Sequence, residues 1–230
     1  MHPPNYRTLS LPEWLVLCLV CEQPTYGFAV AGLLSRAGRL GRIWPVSKPA
    51  IYRAVLRLER LGLVQVNGQQ HASPGPERLL VTATRPGCTA AKGWLRQPVT
   101  HGRDVQPELM LKLALLDRAG SDPRELLTGQ RAEFGPLAAA LASRVEATTG
   151  FDHTLALWRH QAMSATMQFL DEAAQQAEMA PAGAVPHPTP RPGWSRRDTG
   201  RHRDPDRVRP VSPGHLSDAA GQPVNPKRQT

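Results

Sequence analysis

Trp44-Pro45-Val46-Ser47-Lys48-Pro49-Ala50-Ile51-Tyr52-Arg53-Ala54-Val55-Leu56-Arg57-Leu58-Glu59-Arg60-Leu61-Gly62-Leu63-Val64 decides the fold of this 230-residue chain. Ser47 is of the type that caps a helix, and Pro49 falls in the first turn, where a missing N–H costs nothing. Gly62 followed by apolar Leu63 makes a left-handed stop. At about 100° per residue, Ile51, Val55 and Leu58 lie within about 60° of one another, while Arg53, Arg57 and Arg60 gather opposite. The stretch predicts a short helix with one core face and one cationic face.

Downstream, Val64-Gln65-Val66-Asn67 and Arg78-Leu79-Leu80-Val81-Thr82 flank a polar, Gly/Pro-containing run, which reads as a β-hairpin with a loose tip. Thr84 then caps a helix through Trp94, and Pro98 closes the unit. Upstream, Ser10-Leu11-Pro12-Glu13 is a capping box opening a helix over residues 11–22. That helix is apolar nearly all round (Trp14, Leu15, Val16, Leu17, Leu19, Val20), so it belongs at the centre of a small domain. Gln23-Pro24 ends it, and Thr25 is placed to cap a second helix running to Arg36, with Gly38 and Gly41 as its breakers.

Three short helices, the third basic on its outer face, followed by a hairpin, is the order of a winged helix-turn-helix. Such a helix fits the major groove of B-DNA, its first residues reaching base edges while cations and amides hold phosphates. Ser47, Lys48, Ala50 and Arg53 are therefore the candidate groove-facing residues, Tyr52 and Arg57 the phosphate contacts, and Gln70, His71 and Arg78 the wing contacts. Double-stranded DNA is the expected partner. The competing reading is a winged-helix protein-interaction or adaptor module without a sequence-specific DNA target, because the fold alone does not fix function.

The stretch quoted above resembles the recognition-helix segment of the PadR family of bacterial transcriptional regulators. Thr25-Tyr26-Gly27-Phe28-Ala29-Val30 is similar to that family's Gly-aromatic opening of the second helix. Thr84-Arg85-Pro86-Gly87, Trp94-Leu95 and Pro98 resemble its pattern after the wing, and Glu108-Leu109-Met110-Leu111-Lys112-Leu113 with Gln130-Arg131 the start of its helical region. The likeness spans residues 10–178. It departs in the second wing strand, where Leu79, Leu80, Val81 and Ala83 stand in place of the aromatic residues common in similar proteins. The resemblance implies a homodimer made through the helical half, and a small-molecule effector bound between the two halves. Trp14, Tyr26, Trp94, Trp158, Met163 and Met167 are the candidates for such an apolar site.

Charge divides the chain. The total of +9 separates into +8 over residues 1–100, −4 over residues 101–179 and +5 over residues 180–230. Ten of the 23 prolines fall in the last segment, which has few large apolar residues and reads as a disordered Pro/Arg-rich tail. The expected organisation is a winged helix-turn-helix over 1–100, a helical dimerisation domain over 101–179 and the tail over 180–230. The class is mainly α, with the wing as its β component.

In the acidic half a shorter helix over residues 107–118 precedes two long ones. From Asp122, Leu127, Arg131, Phe134, Ala138, Leu141, Val145 and Thr148 alternate four- and three-residue steps, a coiled-coil-like stripe that Arg131 interrupts. After Gly150, one side carries Phe151, Leu155, Trp158, Ala162 and Phe169. Two such helices, roughly 40 Å each at 1.5 Å per residue, can pair as a hairpin and still leave apolar surface. Leu127, Phe134, Leu141, Val145, Leu155, Trp158 and Phe169 are the expected dimerisation residues.

Catalytic chemistry has little foothold. Cys18 and Cys21 form a C-x-x-C inside an apolar helix, without a second ligand pair or a neighbouring cation to activate a thiol, so packing is the expected role. There is no phosphate loop, no nucleophile elbow and no metal-ligand spacing among the eight histidines. No enzyme activity, cofactor or metal is expected. The longest nearly apolar run is too short for a membrane helix, which needs roughly 20 residues, and residues 1–7 lack the pattern of a secretory leader. Three cysteines fit a reducing compartment, so a cytoplasmic location is expected. Together these readings predict a DNA-binding regulator, a repressor in the simplest case, acting as a dimer on a palindromic site.

Overall fold

The computed structural model describes residues 9–69 and 78–179. Helix α1 (Leu11–Glu22) opens on the expected box: the Ser10 N–H donates to the Glu13 carboxylate at 2.6 Å, and Pro12 sits in the first turn. Every residue from Trp14 to Val20 is buried, so this helix must be covered on all sides. Helix α3 (Lys48–Arg60), helix α4 (Arg85–Arg96) and strand β3 (Arg78–Ala83) supply that cover. Each buried Leu or Val here removes enough apolar area from water to contribute about 2 kcal/mol.

Thr25 does not cap the second helix. Thr25 and Tyr26 form a short strand, β1 (Thr25–Tyr26), antiparallel to β3, with Thr25 opposite Val81 and Tyr26 opposite Leu80. Pro24 forces the residue before it out of the helical region, and the open edge of β3 offers backbone groups that need partners. Helix α2 (Gly27–Leu34) starts only after this strand. It also ends before Arg36, because Ser35 is extended and its hydroxyl donates to the Gly32 carbonyl at 2.8 Å. Strand β2 (Val64–Gln69) completes a three-stranded sheet in the order β1-β3-β2, its register running from Val64 opposite Ala83 to Gln69 opposite Arg78.

The connection from α2 to α3 winds through tight turns that only small residues allow. A Cβ on Gly41 would lie 1.7 Å from the Ser35 carbonyl oxygen. At the far end of α3, Gly62 takes φ +69°, and the Leu63 N–H closes the stop on the Leu58 carbonyl at 2.9 Å. Thr84 then fastens the wing to this stop. Its hydroxyl donates to the Gly62 carbonyl at 2.8 Å and accepts from the Gly87 N–H, capping α4.

A 3₁₀ turn (Gly102–Asp104) and a single π turn (Val105–Leu109) lead into α5 (Met110–Arg118), so regular helix begins three residues later than Pro107. A proline in the turn has no N–H to give, and the wider turn accommodates the gap. Helix α6 (Arg124–Ala147) and helix α7 (Gly150–Met179) follow. They are antiparallel: Arg131 pairs with Asp171 at 3.0 Å near one end, and the Val145 carbonyl lies 2.9 Å from His153 Nδ1 near the other.

Two apolar clusters organise the described residues. The first fills the space around α1 and draws Leu111 and Leu115 from α5; the second holds Val99, Leu109, Leu116, Leu126, Leu127, Phe134, Met163 and Leu170. Helix α5 thus contributes to both. Buried polar groups fix its position. Lys112 Nζ donates to the Gln97 carbonyl and to Glu108, each at 2.7 Å, and stands 4.7 Å from the Trp94 ring. Arg118 forks onto Glu22 at 2.7 and 3.1 Å, tying the end of α5 to the end of α1. The segment expected as a tail, 180–230, lies outside the described residues.

Candidate nucleic-acid interface

Helix α3 presents two unlike faces, as its sequence requires. Ile51, Ala54, Val55 and Leu58 are buried, whereas Lys48, Tyr52, Arg53, Leu56, Glu59 and Arg60 are exposed. Ser47 is extended and exposed. It starts the helix through its carbonyl, which accepts from Ala50 and Ile51, and its side chain makes no capping bond. Ala50 is half-buried beside it. The six candidates Ser47, Lys48, Ala50, Tyr52, Arg53 and Arg57 therefore occupy one helix and its cap. Arg78 opens β3 opposite Gln69, and Gln70 and His71 lie outside the described residues.

The ring of Tyr52 lies against the start of α2. A Cβ on Gly27 would approach it to 3.2 Å, so a glycine there lets the two elements close. Next to it the rings of Tyr26 and Phe28 stack at 5.6 Å. On the other flank, α3 and the first turn of α1 enclose a cleft of about 430 Å³ lined by Ser10, Pro12, Glu13 and, from α3, chiefly Arg53, Arg57 and Arg60. Arg57 forms an ion pair there with Glu13 at 3.4 Å. Glu13 is only 6% exposed, a carboxylate nearly withdrawn from water within a cationic face. Its sequence position reveals the capping role alone, because the approach of α3 is a tertiary fact.

Two further exposed apolar groups stand beside these candidates. Trp44 stands exposed just before the α3 cap, and Leu56 is exposed in the middle of the outward face. The signal for Leu56 was available, since it lies about 140° from Ile51 and about 160° from Leu58 on a helical wheel. The candidate effector residues do not converge. Trp14 and Trp94 stack at 5.3 Å within the first cluster, Tyr26 pairs with Phe28, Met163 belongs to the second cluster, and Trp158 is exposed on α7. A separate cavity of about 460 Å³ lies among α4, α5 and α6, lined by Lys92, Leu95, Arg96, Leu116, Ser121, Asp122, Glu125 and Leu126.

Of the expected dimerisation residues, Leu127 and Phe134 are fully buried within the chain's own second cluster, so they are not surface for a partner. Leu141, Val145, Leu155 and Phe169 are half-buried, and Trp158 is exposed. Cys18 is buried, and Cys21 and Cys88 are half-buried. Burial pushes the Cys18 and Cys21 thiols far above their ordinary range, with Glu22 adding to the effect at Cys18 and Cys88 at Cys21. Among the described residues no group of His, Cys, Asp and Glu could hold a metal ion, and no helix is long and apolar enough to cross a membrane.

No known family model and no curated protein matches the chain. Among solved structures it is similar to Bacillus subtilis PadR in complex with operator DNA, with 18% identity over 73% of this chain and 99% of that one and a TM-score of 0.38. It is also similar to smu.1604c from Streptococcus mutans UA159, at 13% identity, 71% and 98% coverage and a TM-score of 0.36. For Bacillus subtilis PadR in complex with p-coumaric acid the values are 16% identity, 77% and 99% coverage and a TM-score of 0.33.

Proposed function

We propose that this chain is a PadR-type, DNA-binding transcriptional regulator that acts as a repressor. The observation that carries the reading is the exposed, cationic outer face of α3, anchored by its buried inner face and followed by a β-hairpin. In this reading Ser47, Lys48, Ala50 and Arg53 enter the major groove, Tyr52 and Arg57 hold phosphates, and Gln70, His71 and Arg78 act from the wing. Residues 1–100 read DNA and residues 101–179 pair two protomers. A two-fold dimer presents its helices to successive turns, which calls for a palindromic operator with half-sites about one helical turn, or a multiple, apart. A small-molecule effector that releases the dimer would find a seat in the cavity among α4, α5 and α6.

Selection of bound sequences from genomic DNA, followed by titration against salt, tests this. A dimer neutralising about six phosphates gives a log–log slope near −5, and Arg53→Ala weakens specific binding at least tenfold. A protein-interaction module would select no sequence and show no such slope. Specific binding that survives loss of both Arg53 and Arg57 would reject α3 as the reading face.

A further inference from the structure

We propose that Glu13 sets how strongly the α3 face holds DNA, by keeping Arg57 in an ion pair inside the cleft; this rests on the DNA-binding reading above. The carboxylate of Glu13 has two partners on different elements. Oε2 accepts the Ser10 N–H at 2.6 Å, which is the cap of α1, and Oε1 faces Arg57 Nη1 of α3 at 3.4 Å. The first contact needs only an acceptor, and glutamine serves that position of a capping box as well as glutamate. The negative charge is therefore not required by the cap. Its effect falls on the cleft, where Arg53 and Arg60 flank Arg57 and Glu13 offsets the Arg57 charge from within the protein.

A phosphate approaching the cleft must share Arg57 with Glu13 and sits close to a carboxylate that repels it. Two like unit charges about 4 Å apart weaken an association about fivefold even in water, and by more beside a protein surface. Such a penalty applies to every duplex regardless of sequence, so it lowers non-specific binding. Base contacts made elsewhere on α3 then carry a larger share of the affinity for a specific site. Glu13 is in this sense an affinity-setting residue that touches no base.

The full chain with Glu13→Gln, which retains the acceptor for Ser10, is titrated with a short duplex of unrelated sequence across a range of salt. The expected result is roughly three- to tenfold tighter binding at low salt for each protomer engaged and a log–log slope steeper by about 0.9 per protomer, about 1.8 for the dimer, as each Arg57 is released to neutralise a phosphate it otherwise shares with Glu13. Glu13→Gln combined with Arg57→Gln is expected to lose that extra slope. A purely structural role for Glu13 would leave the slope unmoved, so an unchanged slope overturns the proposal, as does a double variant that keeps the gain. Glu13→Met provides a second neutral side chain; if neither single variant folds, the charge serves the fold and the proposal falls. Failure of the wild-type chain to bind any duplex would instead overturn the DNA-binding reading itself.

Discussion

Gln130 is fully buried on α6, and its amide grips the backbone of Val99: Oε1 accepts the Val99 N–H at 2.7 Å and Nε2 donates to the Val99 carbonyl at 2.8 Å. The pairing imitates one rung of a sheet and anchors the segment between α4 and α5 to the long helices. Gln130→Leu keeps the volume and strands two buried backbone groups, so it is expected to cost about 2–4 kcal/mol, read as a lower urea midpoint. The thiols give a second test at this scale. With their folded pKa raised, Cys18 and Cys21 stay protonated where an unfolded chain ionises, above about pH 8.5. The folded state then binds more protons than the unfolded one. Their contribution to stability is complete below that pH and declines as pH rises beyond it. At pH 8, iodoacetamide should label Cys18 only after denaturation, as followed by mass spectrometry; rapid labelling of the native protein would reopen a redox role.

Among the elements, α3 was the most legible because its signals are local. Ser47, Pro49 and Gly62 punctuate it, and its apolar residues repeat at helical spacing. Strand β1 was not legible. Thr25 and Tyr26 have the right residue types, but two residues carry no period, and their partners Val81 and Leu80 stand more than fifty positions away. The wing, in contrast, showed as two β-branched and aliphatic runs around a polar one. Helix α6 continues through Pro136, which is exposed and removes one ladder hydrogen bond. Pro136→Ala should therefore raise stability by about 1–3 kcal/mol, measured by chemical denaturation. A loss of stability instead would mean that packing between α6 and α7 depends on the local bend.

For the whole molecule, the arrangement of α6 and α7 leaves an apolar face uncovered. The chain buries Ala156, Met163 and Leu170 of α7 on its own partner helix, while Phe151 is 79% and Trp158 66% exposed. A dimer formed there would cover both, and Trp158→Lys is expected to give a folded monomer in sedimentation equilibrium at micromolar concentration. A variant that remains dimeric would move the interface elsewhere. The sequence by itself determined the types of the longer elements, the two-faced α3 and the separation of a basic from an acidic segment. These depend on caps, periods and charges that neighbours along the chain already share. Only the tertiary structure decided that Glu13 meets Arg57, that Gln130 holds Val99, and which apolar stripe of the long helices is internal. Each of those depends on backbones far apart in sequence meeting, and on which of two similar hydrophobic faces burial selects first.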